Sequence, residues 1–135
     1  MLKFYFSEET VIAIHNDLVK HTGGSEEIRD KGLLSSALNA PFQSFGGQEI
    51  FPTIFEKAAR LACGLIQNHA FIDGNKRIAA HIMLLFLRVN GVSLKYSQKE
   101  LGDLFLGLAD SKITFQELLE WIISHKIFDT EKNSL

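Results

Sequence analysis

Ten consecutive residues, Ile78 to Leu87, carry a single polar side chain, His81. A helix that is apolar nearly all round needs cover on nearly every side, so this run predicts a buried central helix, stopped by Asn90-Gly91. Just upstream, Ile54, Ala58, Leu61, Ala62 and Leu65 recur at steps of three and four, the spacing of one helical face. Pro52 stands near the start of that helix. Only the segment "HAFIDGNKR", residues 69–77, separates the two. So short a connection forces them to pack on one another.

The rest of the chain repeats the helical pattern. "SEETVIAIHNDLVKHTGG" has Ser7 as N-cap, Glu8 and Glu9 at the positive end of the dipole, and Gly23 at the stop. "DKGLLSSALNAP" is a short helix that ends before Pro41. "SQKELGDLFLGLAD" and "TFQELLEWIISHK" are two more, with Ser97/Glu100 and Thr114/Glu117 as capping boxes. About six helices with short connections predict an all-α, single-domain compact bundle over residues 1–135. The irregular stretch 42–53 is a flap between the second and third helices, able to form a small hairpin over Gly46-Gly47. Residues 127–135 are expected to be a loose C-terminal tail.

Bulk chemistry narrows the classes of function. The net charge is -2, so there is no broad basic field for nucleic acid, and no helix offers a basic recognition face. Cys63 is the lone cysteine, which excludes an internal disulfide and suits a reducing, cytoplasmic setting. The N-terminal residues lack a signal pattern. The apolar run 82–87 is far short of the roughly 20 residues a bilayer requires, so no membrane partner is expected.

The loop 69–77 is where polar chemistry gathers. It feeds a helix whose first turn has free N–H groups and a positive dipole end. Gly74 and Asn75 tolerate backbone conformations that turn successive amides into an anion nest. Lys76 and Arg77 are unfavourable to a helix N-terminus unless an anion, commonly phosphate, sits there. Asp73 beside phosphates suits a Mg²⁺ ligand, and His69 suits a general base. These are the parts of a phosphoryl or nucleotidyl transfer site. The same residues also read as a plain turn, with Asp73 or Asn75 as a helix cap and His69 closing the third helix. Phe71 is expected to anchor the loop in the core.

"HAFIDGNKRIAAHIMLLFL" resembles the signature of the Fic/Doc superfamily, H-x-F-x-D-G-N-x-R, matching its six defined positions. "RDKGLLSSALNAP", the Phe/Gly flap and "LFLRVNGV" resemble its death-on-curing (Doc) branch. The resemblance covers nearly the whole chain and implies roles. His69 is the general base that takes a proton from a target hydroxyl, Phe71 the loop anchor, and Asp73 the Mg²⁺ ligand. Gly74 and Asn75 form the anion nest, and Arg77 meets nucleotide phosphates. Fic enzymes that transfer AMP typically read G-N-G-R-x-x-R; here Lys76 replaces the second glycine and Ala80 the second arginine. Ala70, at a position often proline in those enzymes, points the same way. The Doc branch implies ATP bound in reverse, its γ-phosphate moved to a threonine hydroxyl of elongation factor Tu, and translation stopped. AMP transfer, and a non-catalytic domain that binds nucleotide or a partner, are the competing readings.

By the same resemblance the flap, with Phe45, Gly46 and Gly47, lines the target's docking path; its structural alternative is a surface loop with Phe45 and Phe51 tucked into the core. No internal inhibitory motif S/T-x-x-x-E-G/N is present, the nearest being Thr22 to Glu27. Inhibition is therefore expected from an antitoxin with a disordered tail that folds on binding. His15, His21 and His125 are expected at the surface or as caps, and His81 as a hydrogen-bonded core histidine. Cys63 is expected in packing, and Trp121 with Leu118 and Ile122 as a core stripe. Lys3, Lys20, Arg29 and Arg88 are expected as solvated charges.

Overall fold

The structure, a computed structural model, describes residues 6–128. Six α-helices carry the fold: α1 Glu8–Thr22, α2 Lys31–Asn39, α3 Ile54–Gln67, α4 Asn75–Val89, α5 Gln98–Ala109 and α6 Phe115–His125. Four short strands join them: β1 Ser44–Phe45, β2 Gln48–Glu49, β3 Val92–Leu94 and β4 Lys126–Phe128. The all-α bundle expected from periodicity is the observed architecture.

Helix ends follow local chemistry. Ser7 accepts from Thr10 N–H and starts α1; the N–H of Gly23, at φ 88°, closes it onto Val19. Asp30 accepts from Leu33 N–H at the start of α2. Capping boxes open α5 at Ser97/Glu100 and α6 at Thr114/Glu117. A third box, Thr53/Glu56, opens α3 just after Pro52. α2 ends at Asn39, before Pro41 as expected. Pro41 sits in a single 3-10 turn, Ala40–Phe42, appended to α2.

The central helix is α3, not α4. Residues from Lys57 to Ile66 are buried almost without a break. α3 packs on α2, α4, α5 and α6. Small residues let neighbours approach from several sides: a Cβ added at Gly64 would lie 3.3 Å from Ala37. α4 buries Ile78, Ala79, Ile82, Met83, Phe86 and Leu87, but His81 and Arg88 are exposed and Leu84 and Leu85 half-buried. Its apolar run overstates its burial because the face that carries His81, Leu84, Leu85 and Arg88 opens to solvent.

β1 and β2 form the antiparallel hairpin of the flap, with Gly46 and Gly47 at φ 59° and 82° in the turn. Both central residues at positive φ suit a tight hairpin turn. β4 pairs with β3 in the register Val92–Phe128, Ser93–Ile127, Leu94–Lys126. The C-terminal segment is therefore tied down at 127 and 128, where a loose tail was expected; residues 129–135 lie outside the described residues.

Candidate active site

α4 is the helix whose N-terminus lacks a side-chain cap. Its N-cap is Gly74, left-handed at φ 80° and ψ 16°, with no side-chain hydrogen bond. Ladder bonding begins at Ile78 N–H to Gly74 C=O, 2.9 Å. The N–H groups ahead of it stand at the positive end of the macrodipole.

Asn75 does its structural work with its side chain. Its Oδ1 accepts from Phe71 N–H at 3.2 Å and its Nδ2 donates to Phe71 C=O at 2.9 Å. The amide thus closes the loop on itself, and its backbone N–H contributes to the helix end. Phe71 is buried, and its backbone makes an isolated antiparallel bridge with Ile28.

The segment between α1 and α2 forms a second wall. Ser25 N–H donates to Asp73 Oδ2 at 2.9 Å. Arg77 Nη1 donates to Thr22 Oγ1 and to Gly23 C=O. Gly24, at φ 114°, comes so close that a Cβ there would lie 3.3 Å from Asp73 Cβ. Ile72 N–H bonds to Glu27 C=O at 3.1 Å, and Arg29 N–H to Ala70 C=O at 2.7 Å. Thr22 to Glu27, which the sequence offers as a poor inhibitory motif, therefore runs along the motif loop and holds two of its charged side chains.

Arg29 is not simply a solvated charge. Its Nε donates to His69 C=O at 2.7 Å and its Nη2 to Asn68 C=O at 2.9 Å. It satisfies carbonyls at the C-terminal end of α3, where a cation is favoured. It also fixes the backbone of His69, which has a positive φ of 49°. His15 is likewise neither a surface nor a capping residue. It is fully buried in α1, stacked on Phe71 and bonded to the Asp73 carbonyl. His81, expected in the core, is exposed on α4. Three-to-four spacing identifies a helix face but not which helix lies opposite, so neither histidine nor Arg29 could be placed from sequence.

One cleft of about 280 Å³ is lined by His69, Ile72, Asp73, Gly74, Asn75, Lys76, Arg77 and Ala109. His69 and Lys76 are exposed in it, and Arg77 is half-buried. Lys76 and Arg77 also line a second cleft, about 250 Å³, walled by Ala80, Gln98, Leu101, Gly102 and Phe105. An exposed imidazole, a carboxylate, two cations and a helix N-terminus thus share one concavity. Among the described residues no group of three or more His, Cys, Asp or Glu side chains could hold a metal. A single carboxylate beside a phosphate site still fits Mg²⁺, which binds through one or two carboxylates, substrate phosphates and waters. Asp73 offers that carboxylate, with Oδ1 engaged by no hydrogen bond among the described residues.

The flap stands apart from this cleft's lining. Phe45 is 84% exposed, so it is not tucked into the core; Phe51 does pack inward, against Phe115 at 5.6 Å between ring centres. Lys57, fully buried, donates to Glu49 Oε1 at 2.7 Å and to Phe51 C=O, pinning the hairpin to α3. Cys63 is buried, and burial pushes its thiol up to about 11, which leaves it inert packing. Among the described residues no helix is long and apolar enough to cross a membrane.

Residues 5–87 match the sequence model of the Fic/DOC family. The chain is 32% identical over 116 residues to "Protein kinase doc" of Escherichia phage P1, covering 86% of this chain and 90% of that protein. It is 43% identical over 72 residues to "Toxin Doc" of Mycolicibacterium smegmatis, covering 53% of this chain and 55% of that protein's length.

Proposed function

Because the chain belongs to the Fic/DOC family, we propose that it is a Doc-like toxin that transfers the γ-phosphate of ATP to a threonine or serine hydroxyl of a protein. The proposed target is elongation factor Tu, whose modification arrests translation. The observation that carries this reading is the single cleft that gathers His69, Asp73, Lys76 and Arg77 at the uncapped N-terminus of α4. The name of the phage relative supports a kinase. Lys76 and Ala80 support γ-transfer over AMP transfer. Lysine fills space that a glycine would leave to the inner phosphates, and alanine leaves no second clamp for the outer ones.

In this mechanism His69 takes the proton of the target hydroxyl as its oxygen attacks the γ-phosphorus. ADP leaves as the bond to the bridging oxygen breaks. The α4 N–H groups with Gly74 and Asn75, and the charges of Lys76 and Arg77, stabilise the transferring phosphoryl group. Asp73 is the residue that would hold Mg²⁺, which would supply charge neutralisation to the bound phosphates. Arg77 meets phosphate from the position in which Thr22 and Gly23 hold it. The flap, with Phe45 and the Gly46-Gly47 turn, receives the target. The partners in this reading are cytoplasmic: the modified protein, and an antitoxin whose disordered tail folds on binding. Neither nucleic acid nor membrane is engaged.

The test supplies purified protein, Mg²⁺ and elongation factor Tu with ATP labelled at the α- or the γ-phosphate. Label from the γ position only, lost in His69→Ala, is expected. Label from the α position would overturn the kinase reading, and retained transfer in His69→Ala would overturn the assigned base.

A further inference from the structure

We propose that His15 is a positioning residue of the motif loop: its imidazole fixes the Asp73–Gly74 peptide, and through it the N–H groups and carboxylate that meet phosphate and metal. The inference rests on reading that loop as a phosphate and Mg²⁺ site. It comes from a residue in α1, outside the signature.

His15 and Lys57 are the two fully buried polar side chains among the described residues. Lys57 is accounted for by Glu49 and the Phe51 carbonyl. His15 Nε2 lies 2.6 Å from the Asp73 carbonyl oxygen, across 58 residues of chain. A carbonyl only accepts, so Nε2 carries the proton. The ring lies flat on Phe71, with centres 3.7 Å apart and planes 13° apart. Nδ1 is buried and has no partner among the described residues. A phenylalanine or leucine would fill the same space without an unmatched nitrogen. The bond to Asp73 is what distinguishes histidine at this position.

The consequence passes through a rigid unit. The peptide is planar, so holding the Asp73 C=O toward α1 directs the Gly74 N–H to the opposite side. Gly74 then turns at φ 80° into α4. Its Cα is pressed against the ring: a Cβ would lie 3.2 Å from His15 Nε2 and 3.3 Å from Val19 Cγ1. Stacking, hydrogen bond and close approach together leave the turn one orientation. The contact also fixes the backbone from which the Asp73 carboxylate projects, while Ser25 N–H holds its Oδ2 at 2.9 Å. A displacement on the order of 1 Å in such a site can cost about 100-fold in rate.

Two substitutions separate the hydrogen bond from the packing. His15→Phe keeps a ring on Phe71 and removes the donor; His15→Gln places an amide N–H at a similar reach. Expected in His15→Phe are a kcat for phosphate transfer reduced by roughly 10- to 100-fold, an unchanged KM for the protein target, and faster amide exchange confined to residues 71–78. His15→Gln is expected to recover both. In the wild type, the 15N-edited NMR spectrum should show a slowly exchanging His15 Nε2–H, which keeps the proposal decidable if His15→Phe does not fold. The proposal is overturned by wild-type exchange over 71–78 in folded His15→Phe, by a His15→Gln as impaired as His15→Phe, or by the absence of that protected proton. If the wild type transfers no phosphate, the functional reading fails, while exchange and the Nε2 proton still decide the role of His15.

Discussion

Gly74→Ala is the substitution whose effect the structure determines most closely. Two separable contributions act. The left-handed backbone at φ 80° costs a non-glycine residue roughly 1–2 kcal/mol. The new methyl also meets His15 Nε2 at 3.2 Å and Val19 Cγ1 at 3.3 Å, and both residues are buried. Neither can retreat into solvent, and overpacking of this kind costs roughly 1–3 kcal/mol. The sum, about 2–5 kcal/mol, is a large share of a domain's usual 5–15 kcal/mol. Gly91→Ala supplies the internal control, because Gly91 has φ 86° with nothing within 4 Å of an added Cβ. It should lose only the backbone contribution. Urea unfolding of both variants and the wild type, with equal m-values, reads the difference directly. If Gly74→Ala costs no more than Gly91→Ala, the tight packing of the motif turn on α1 is refuted, and with it the steric half of the case for His15.

Phe45→Ala should leave stability within about 0.5 kcal/mol, since the ring is 84% exposed; under the proposed function it should raise the KM for the protein target, which steady-state kinetics would show. Lys57→Ala should destabilise by roughly 1–3 kcal/mol, because it removes the buried donor shared by the Glu49 carboxylate, itself a third exposed, and the Phe51 carbonyl; thermal melting measures it. Cys63 should resist a thiol reagent at pH 8 in the native state, its thiol being pushed up to about 11 by burial, and react once urea unfolds the chain. Glu100 lies below its usual carboxylate range, first through the Ser97 backbone bond and then through His125. A depressed folded value means the capping contribution is complete above the unfolded value of about 4.3 and lost as pH falls through the folded one. Glu100→Gln should therefore flatten the acid limb of a melting-temperature profile.

Elements carried by short-range signals were legible in the sequence. Ser7, Ser97/Glu100 and Thr114/Glu117 cap where local chemistry puts them, and Gly46-Gly47 turns the hairpin. Relations between distant segments were not legible. The apolar run of α4 suggested the centre of the bundle, but its face at His81 is open; α3 is central because Ala58, Ala59, Ala62 and Gly64 admit several neighbours. The strand at Lys126–Phe128 exists only because Val92–Leu94 lies beside it, and a three-residue strand has no periodicity of its own to read. In the site, residues 69–77 were visible as a contiguous cluster. Arg29 and His15 act on that cluster from other elements, and a lone arginine or histidine has no local signature of its target.

The loop's polarity resolves into two sets of groups. One set is consumed inside the protein: the Asn75 amide by Phe71, Asp73 Oδ2 by Ser25, Arg77 Nη1 by Thr22 and Gly23, and the Asn68 and His69 carbonyls by Arg29. The other set is not consumed in this way: the exposed His69 and Lys76 side chains, the uncapped α4 N-terminus, and Asp73 Oδ1, which no hydrogen bond among the described residues engages. The structural reading of "DGN" as a turn and the chemical reading of it as an anion site are therefore not rivals, because different atoms of the same residues serve each. Charged groups held by internal hydrogen bonds before a ligand arrives need little reorganisation when it does, and under the proposed function electrostatic stabilisation of the transferring phosphoryl group depends on that condition. The Thr22–Glu27 segment belongs to the site for this reason: without it, Asp73 and Arg77 would have to be ordered at the expense of binding.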